Sequence, residues 1–501
     1  MAIDFQRKDY QRAVLDWEMV TDVCAGERTV KDRDRVIISP TTSTVTAAQK
    51  RYLPMPNPTD ISNQNIARYQ QYLARAVFYN ATGRTLAGLV GTAFRRSPEI
   101  DLGQIDYLES DTDGQGVGLT QQVQSALSAV LKKGRHALWV DYPAIDGGVS
   151  KAALDSRAVR ANIMGVTAEQ VINWRTDRAG AVQKLSLVVI HEIVEEVGED
   201  GYSLEEVEQY RVLRLGEFTY IDGQQTSMAG MRYNVEVYRN KKASMELVEA
   251  YTPTDGSGKS WQEIPFTFIG AVDNNATIDP SPLSDMAAIN LAHYRNSADY
   301  EDSCFFIGQA QPWMSGLDTQ WRDWMVEQNM YVGSRTPILL PEQGKFGIEQ
   351  AQPNTLVKEA MDQKEAQMIA LGARLVKRGE AVKTATQAQH DNEAEHSVLS
   401  LVVENVSSAY TAALGWAARF MNVTGEVFIE ISRDFNEYTM DAQKLTAVVA
   451  GWQAGAIPMS DMLTSLQRAG LIDSEKTDEE IQDELDSSTT GLGLDAAQPA
   501  I

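Results

Sequence analysis

Apolar residues return to one side of a helix at several places along this chain. Ile66, Tyr69, Leu73 and Val77 recur at i, i+3, i+7 and i+11, with Asn65, Arg68, Gln71 and Arg75 opposite, and predict a helix starting after Asp60. Asn80-Ala-Thr-Gly83 interrupts it. Leu86, Leu89, Val90 and Phe94 then form the stripe of a second helix, ended by Ser97-Pro98 because the residue before proline avoids helical geometry. In that helix Gly88 and Gly91, three apart, leave room for another backbone to approach. Residues 1–60, broken by Pro40, Pro54, Pro56 and Pro58, read as an irregular arm with one short helix near Tyr10–Val20.

Between about 120 and 270 the pattern alternates between periods. Val123–Lys132 reads as helix, while Ala137–Tyr142, Leu185–Ile193, Tyr210–Leu215, Phe218–Ile221, Tyr233–Tyr238 and Ile264–Ile269 read as strands separated by Gly, Asp and Asn turns. The C-terminal half is mainly helical. Ser281-Pro282 has the form of a helix start, a capping hydroxyl followed by proline. Leu283, Met286, Ala287, Leu291, Tyr294 and Ala298 make one stripe running to about Asp302. A segment with short strand candidates, Phe305–Gln350, contains Trp313, Trp321 and Trp324, and helix resumes over Thr355–Leu371. Residues 380–414 lack both Gly and Pro, and a helix of that length would reach roughly 50 Å. A late strand is expected at Glu426–Ile431, amphipathic helices at Ala442–Ala454 and Ser460–Ala469, and a solvated acidic tail over Ser474–Ile501. The expected class is α+β, with no internal repeat.

Composition narrows the function. The 501 residues carry 45 Lys plus Arg against 69 Asp plus Glu, a net charge of −24. Phosphate binding relies on cations displacing counterions, so such a chain can meet DNA only locally. Two cysteines, Cys24 and Cys304, exclude a disulfide framework and a four-cysteine zinc site. The amino terminus lacks an apolar signal stretch, and no window approaches 18 uninterrupted apolar residues, so neither secretion nor a membrane is expected. Gly256-Ser-Gly-Lys-Ser260 imitates the end of a P-loop, but Pro253 stands where the motif needs its first glycine, and a turn between strands is the better reading. His136, His191, His293, His390 and His396 are scattered, and the last two, six apart, face different sides of a helix, so no metal is expected. No catalytic motif appears, no cofactor is implied, and no enzyme is expected. One basic stretch stands out: Leu371–Lys383 holds Arg374, Lys377, Arg378 and Lys383 against Glu380 alone. It is either a linker neutralising neighbouring acids or a phosphate-facing loop. The three tryptophans are either the core of a small domain or a partner patch.

Three sets of residues resemble the portal protein family of tailed bacteriophages. They are Arg68–Gly91 with Phe94–Pro98; Ile264–Gly270, Ile278–Leu283 and Ile289–Glu301; and Lys364–Met368, Leu371–Leu375 and Thr384–Thr386. The resemblance covers about residues 60–470 and rests on the order and spacing of the stretches. It implies a ring, usually of twelve subunits, at one capsid vertex, through which double-stranded DNA enters and leaves. It also implies docking of the terminase large subunit, then of a head–tail adaptor, contact with major capsid or scaffold protein, assembly in the host cytoplasm and a final place in the virion. By position, residues 1–280 resemble the wing (with 1–60 its arm), 281–304 the first stem helix, 305–354 a small α/β clip and 355–370 the second stem helix. Residues 371–383 resemble the tunnel loop, 384–440 a long helix (Thr384–Met421) with the wing's return strand, 441–473 a helical crown, and 474–501 an acidic tail. The resemblance makes Arg374, Lys377, Arg378 and Lys383 a cationic collar touching DNA backbone inside an otherwise acidic channel, and Trp313, Trp321 and Trp324 part of the docking surface. Two rivals stand beside it: another virion component, such as a head–tail adaptor or minor capsid protein, and a glycan hydrolase using two carboxylates, which needs a pocket holding two acids of raised pKa.

Overall fold

The computed structural model describes residues 3–35, 49–142, 159–198, 200–221, 223–241, 244–308, 311–316, 318–327, 340–349, 355–376, 397–433, 435, 449–450, 452, 456–468 and 481. They divide into two units, Met1–Arg433 and Asp434–Ile501.

The short helix expected near Tyr10–Val20 is present and longer than expected, and a second helix follows it. Helices α1 (Lys8–Ala25) and α2 (Glu27–Asp32) are followed by a minimal ladder, β1 (Asp34–Arg35) with β2 (Gln49–Lys50). Trp17, Val20, Val23, Val30, Tyr52, Leu53 and Met55 are buried, so the prolines of this region shape a packed segment. Helix α3 (Asn63–Arg75) starts on the Ser62 side chain, which accepts from Asn65 N–H, and α4 (Ala81–Ala93) on that of Asn80, which accepts from Gly83 N–H. The buried face of α3 is Tyr69 and Tyr72; Val77 falls beyond its end and is exposed. Gly88 and Gly91 have open space beside them, and the crowded glycine of α4 is Gly83, where a Cβ would lie 2.6 Å from the Cys24 carbonyl.

After β3 (Glu99–Asp101) and α5 (Tyr107–Ser110), helix α6 (Leu119–Lys133) buries Val123, Ala126, Leu127, Val130 and Leu131 and closes on Gly134, whose φ of +68° suits glycine. Two antiparallel sheets follow. One has three strands in the order β11 (Phe266–Gly270), β4 (Arg135–Asp141), β5 (Asn162–Thr167). The other is a meander of β6 (Val171–Ala179), β7 (Val182–Val197), β8 (Leu204–Ile221), β9 (Gln224–Lys241) and β10 (Ser244–Tyr251). Its strands are much longer than the apolar runs of the sequence, because they continue outward through solvent-facing residues held by backbone ladders and by cross-strand pairs such as Arg239 with Glu196 and Gln183 with Thr176. Tyr210–Leu215 and Phe218–Ile221 are one strand, kinked by a bulge at Gly216.

Helix α7 (Ser284–Ile307) buries the expected stripe from Met286 to Ala298. It does not begin on Ser281, whose hydroxyl donates instead to the Lys132 carbonyl at 2.6 Å. Strands β12 (Gln311–Ser315) and β13 (Lys345–Glu349) pair antiparallel around helix α8 (Thr319–Glu327), and α9 (Leu356–Val376) returns. Helix α10 (Val398–Phe420) is capped by Ser397, which is extended at ψ 159° and accepts from Ser400 N–H. A single helix over 384–421 is therefore excluded at Ser397. Although α10 is long and apolar enough to cross a membrane, it is the core helix of this unit, with Val402, Val403, Val406, Tyr410 and Leu414 fully buried. The chain then returns as β14 (Phe428–Glu430), paired with β3.

In the second unit, α11 (Met459–Arg468) packs Met462 and Leu463 against Ile481. At that residue the acidic tail is folded, where a solvated tail was expected.

Candidate ring and partner surfaces

Parts of the stretches that carry the family resemblance, in α3–α4, in α7 itself and in the described part of α9, lie far apart in sequence and meet along α7. Ile264–Gly270 instead forms β11, on β4 and α10, and Thr384–Thr386 lies outside the described residues. Asn290 on α7 is completely buried; its Oδ1 accepts from Thr82 N–H at 3.1 Å and Thr82 Oγ1 at 3.0 Å, and its Nδ2 donates to the Tyr79 carbonyl at 2.8 Å. One turn and more along, Ser297 Oγ donates to the Val77 carbonyl and accepts from Val77 N–H. Further on, Tyr72 Oη donates to Asp299 at 2.6 Å and Arg75 pairs with Asp302 at 2.5 Å. Polar residues at 290, 297, 299 and 302 thus clip α7 to the connection between α3 and α4.

Helix α9 lies antiparallel to α7. His293 Nε2 is 3.2 Å from Glu365, and Gly372 faces Met286 and Thr85. At about 1.5 Å per residue the two helices run roughly 36 and 32 Å. Only Met368 and Leu375 of α9 are buried, while Leu356 and Ile369 are exposed, at 68% and 73%. These two exposed apolar side chains stand on different sides of α9, among exposed Lys358, Glu359, Asp362 and Gln363.

Between these helices, the hairpin β12–β13 with α8 buries none of the residues of α8. Trp313 lies over Gly347, where a Cβ would come 2.6 Å from its ring, and Trp321 and Trp324 stack against each other at 5.0 Å. Trp313 and Trp324 are substantially exposed, as are Phe306, Val326 and Ile348. Of the two readings of these tryptophans, the described residues favour a surface patch over a core.

Arg374 is exposed in the last turn of α9, where a cation suits the helix dipole. Leu371–Val376, expected as the start of a loop, is helical; Lys377, Arg378 and Lys383 lie outside the described residues. The P-loop-like segment is occupied by its own side chain: Asp255 Oδ1 accepts from Ser257 N–H, Ser257 Oγ and Lys259 N–H at 2.7–3.0 Å. Burial raises the Asp255 pKa, and these hydrogen bonds outweigh it and lower the pKa overall. The N–H groups that would cradle a phosphate thus hold a carboxylate.

His136 is buried in β4, His191 stacks on Tyr210, and His390 and His396 lie outside the described residues. Among the described residues no three His, Cys, Asp or Glu side chains form a metal-holding group. Burial raises the Asp141 pKa, with Arg211 and hydrogen bonds from the Tyr142 backbone and Tyr251 opposing the rise and the Glu192 carboxylate adding to it. The turn at Asp255 stands where the sequence placed it, although its side-chain hydrogen bonds were not foreseen, and the α7 network was visible only as the polar residues of the quoted stretches.

The family model described as Domain of unknown function (DUF4055) matches residues 282–421, from the turn before α7 to the end of α10. No curated protein matches the chain. Similar solved structures include a chain from the virion of a native gene transfer agent particle, at 12% identity and a TM-score of 0.39, covering 88% of this chain and 96% of that one. Another comes from the neck of an empty gene transfer agent particle computed with C6 symmetry (13% identity, TM-score 0.40, covering 78% and 89%). A third comes from the neck of the native particle computed with C12 symmetry (13%, 0.36, 77% and 89%).

Proposed function

We propose that this chain is a structural component of a virion of the tailed-bacteriophage kind, and within that class the portal subunit. In this reading copies close into a ring at one capsid vertex, and DNA passes along its axis during packaging and ejection. The observation that supports the reading is the packing along α7 of parts of the three signature stretches, with α3–α4, α7 and α9 as one junction. A ring needs two different patches on each subunit. The exposed small domain between α7 and α9 is one surface suited to that. The net charge of −24 per copy, about −288 for twelve, keeps such a channel from gripping DNA. The basic stretch from Arg374 to Lys383 is then a local collar that touches backbone phosphate without reading bases. The tryptophan-bearing domain docks the packaging motor and, later, the adaptor that joins head to tail. The role is architectural rather than enzymatic.

Sedimentation and negative-stain imaging of the purified full-length chain test this. The expected result is a closed ring with an axial channel wide enough for a duplex. A monomer under every assembly condition overturns the ring, and a ring closed at its axis favours another virion component, such as an adaptor or minor capsid protein. Neutralising Arg374, Lys377, Arg378 and Lys383 together is expected to change packaging or DNA retention; unchanged DNA-filled particles overturn the collar.

A further inference from the structure

Arg135 is a buried cation without an ion-pair partner among the described residues. It opens β4 directly after Gly134, and its side chain is 2% exposed. The guanidinium is clamped between two rings, 3.7 Å from the centroid of Phe268 and 4.2 Å from that of Trp174. Nη1 donates to the Ala276 carbonyl at 3.2 Å, while Nε and Nη2 have no hydrogen-bond partner among the described residues. Asp279 is the carboxylate whose field reaches it, but Asp279 Oδ2 accepts from Val272 N–H at 2.7 Å and Asp273 N–H at 3.3 Å. Burial, helped by the nearby charge of Arg7, pushes the Arg135 pKa well below the ordinary arginine value. The aromatic faces offset part of the cost of burying this charge. A lone buried cation still costs several kcal/mol unless an anion approaches.

The three groups that grip the guanidinium, Trp174, Phe268 and Ala276, are also walls of a cavity of about 600 Å³. Arg7 lines the same cavity. Its guanidinium lies 4.5 Å from the Trp174 centroid, with Nη1 donating to the Trp174 carbonyl and Nη2 to Asp9, which leaves its Nε edge uncommitted. Thr176, Gln183 and Asn275 add neutral polar groups, and the Thr176 hydroxyl already accepts from Gln183, so its own proton is available. Asp9 is the carboxylate among the lining residues, and it opposes any anion that does not take its place on Arg7.

We propose that this cavity binds a small oxyanion of the phosphate or sulfate class. Arg7 and the Thr176 and Asn275 side chains touch the oxygens, and Arg135 supplies positive charge from behind the Trp174–Phe268 wall. The cavity lies where the two sheets meet, at strands β6, β7 and β11, so its occupation ties the sheets together and stabilises the fold.

The test uses the full-length protein at pH 7.5. Sodium phosphate is titrated against sodium chloride at constant ionic strength, with thermal unfolding and calorimetric titration as readouts. The expected result is a saturable rise in Tm of about 2–4 °C with a midpoint on the order of 1 mM, matched by sulfate and not by chloride. Arg7→Ala, a partly exposed position, is expected to weaken the response at least tenfold, and Arg135→Met to abolish it. Should Arg135→Met fail to fold, Thr176→Val combined with Arg7→Ala carries the same test. No saturable rise, or an equal rise in wild type and Arg7→Ala, overturns the site; the latter is general salt exclusion, which grows linearly.

Discussion

Asn290 shows how much one side chain holds in this protein. It satisfies three groups of the segment Tyr79–Thr82 and is itself fully buried. Removing it leaves two donors and a carbonyl unpaired in a dry site. Asn290→Ala is expected to cost about 2–4 kcal/mol, read as a fall in the urea midpoint with an unchanged slope. His136 acts in the opposite sense. Burial, reinforced by Lys133 and Lys132, holds its pKa down to about 3, so it stays neutral in the fold. In the unfolded chain it takes up a proton near pH 6.5. Between those values the unfolded state binds more protons, and stability falls as pH drops from about 6.5 towards 3. At pH 4.5 this contribution is on the order of 2–3 kcal/mol. A His136→Leu variant is expected to lose less stability than wild type between pH 7 and 4.5, and equal losses would assign the pH dependence to other groups.

At the scale of elements, α10 is the core of the first unit. It packs on β11 and β4 and beside α6, and its composition alone could pass for a membrane span. Its Tyr410 is fully buried with an unpartnered hydroxyl, and burial drives its pKa far up. Tyr410→Phe is therefore expected to be neutral or to stabilise by up to about 1 kcal/mol, the reverse of the usual loss on trimming a core residue. A fall in the unfolding midpoint would mean that the hydroxyl is satisfied after all. The long strands of the meander follow a different logic. Their inner halves bury Val188, Val189, Val212, Leu213, Val235 and Val237, while their outer halves place Glu195 opposite Glu206 and Glu196 opposite Glu205. Like charges directly opposite weaken a ladder. The outer hairpin is thus the least stable part of that sheet, and early hydrogen exchange is expected there.

For the whole molecule, exposed apolar side chains are spread along the first unit, from Phe5 and Ile61 to Val272 and Val398. The small domain between α7 and α9 exposes Trp313, Trp324, Phe306, Val326 and Ile348, and a lone hairpin is marginal in water unless something packs on it. Replacing Trp313, Trp321 and Trp324 together by Ser is expected to leave the melting of the first unit almost unchanged. The same variant is expected to lose binding of partner proteins or ring stability. Retained rings and retained partner binding would remove the tryptophans from the docking surface.

Periodicity and turn chemistry, which are local, were readable from residue order. Tyr69 and Leu86, the α7 stripe from Met286 to Ala298, the Asn80 break, the turn at Asp255 and the strand near Ile429 all stand where their patterns placed them. Elements ruled by distant partners were not. The short helix expected near Tyr10–Val20 is there but runs over Lys8–Ala25, with α2 after it unforeseen, and the outer meander strands leave the apolar residues they carry, Ile193, Val197 and Leu204, exposed. Ser281 gave its hydroxyl to Lys132 instead of capping α7, and Ser397 set the start of α10 inside a run that contains no helix breaker. The gathering of α3, α4 and α9 along α7, and of Arg7, Trp174 and Phe268 at one cavity with Arg135 behind it, exists only in three dimensions, because each joins residues more than a hundred positions apart that no local rule relates.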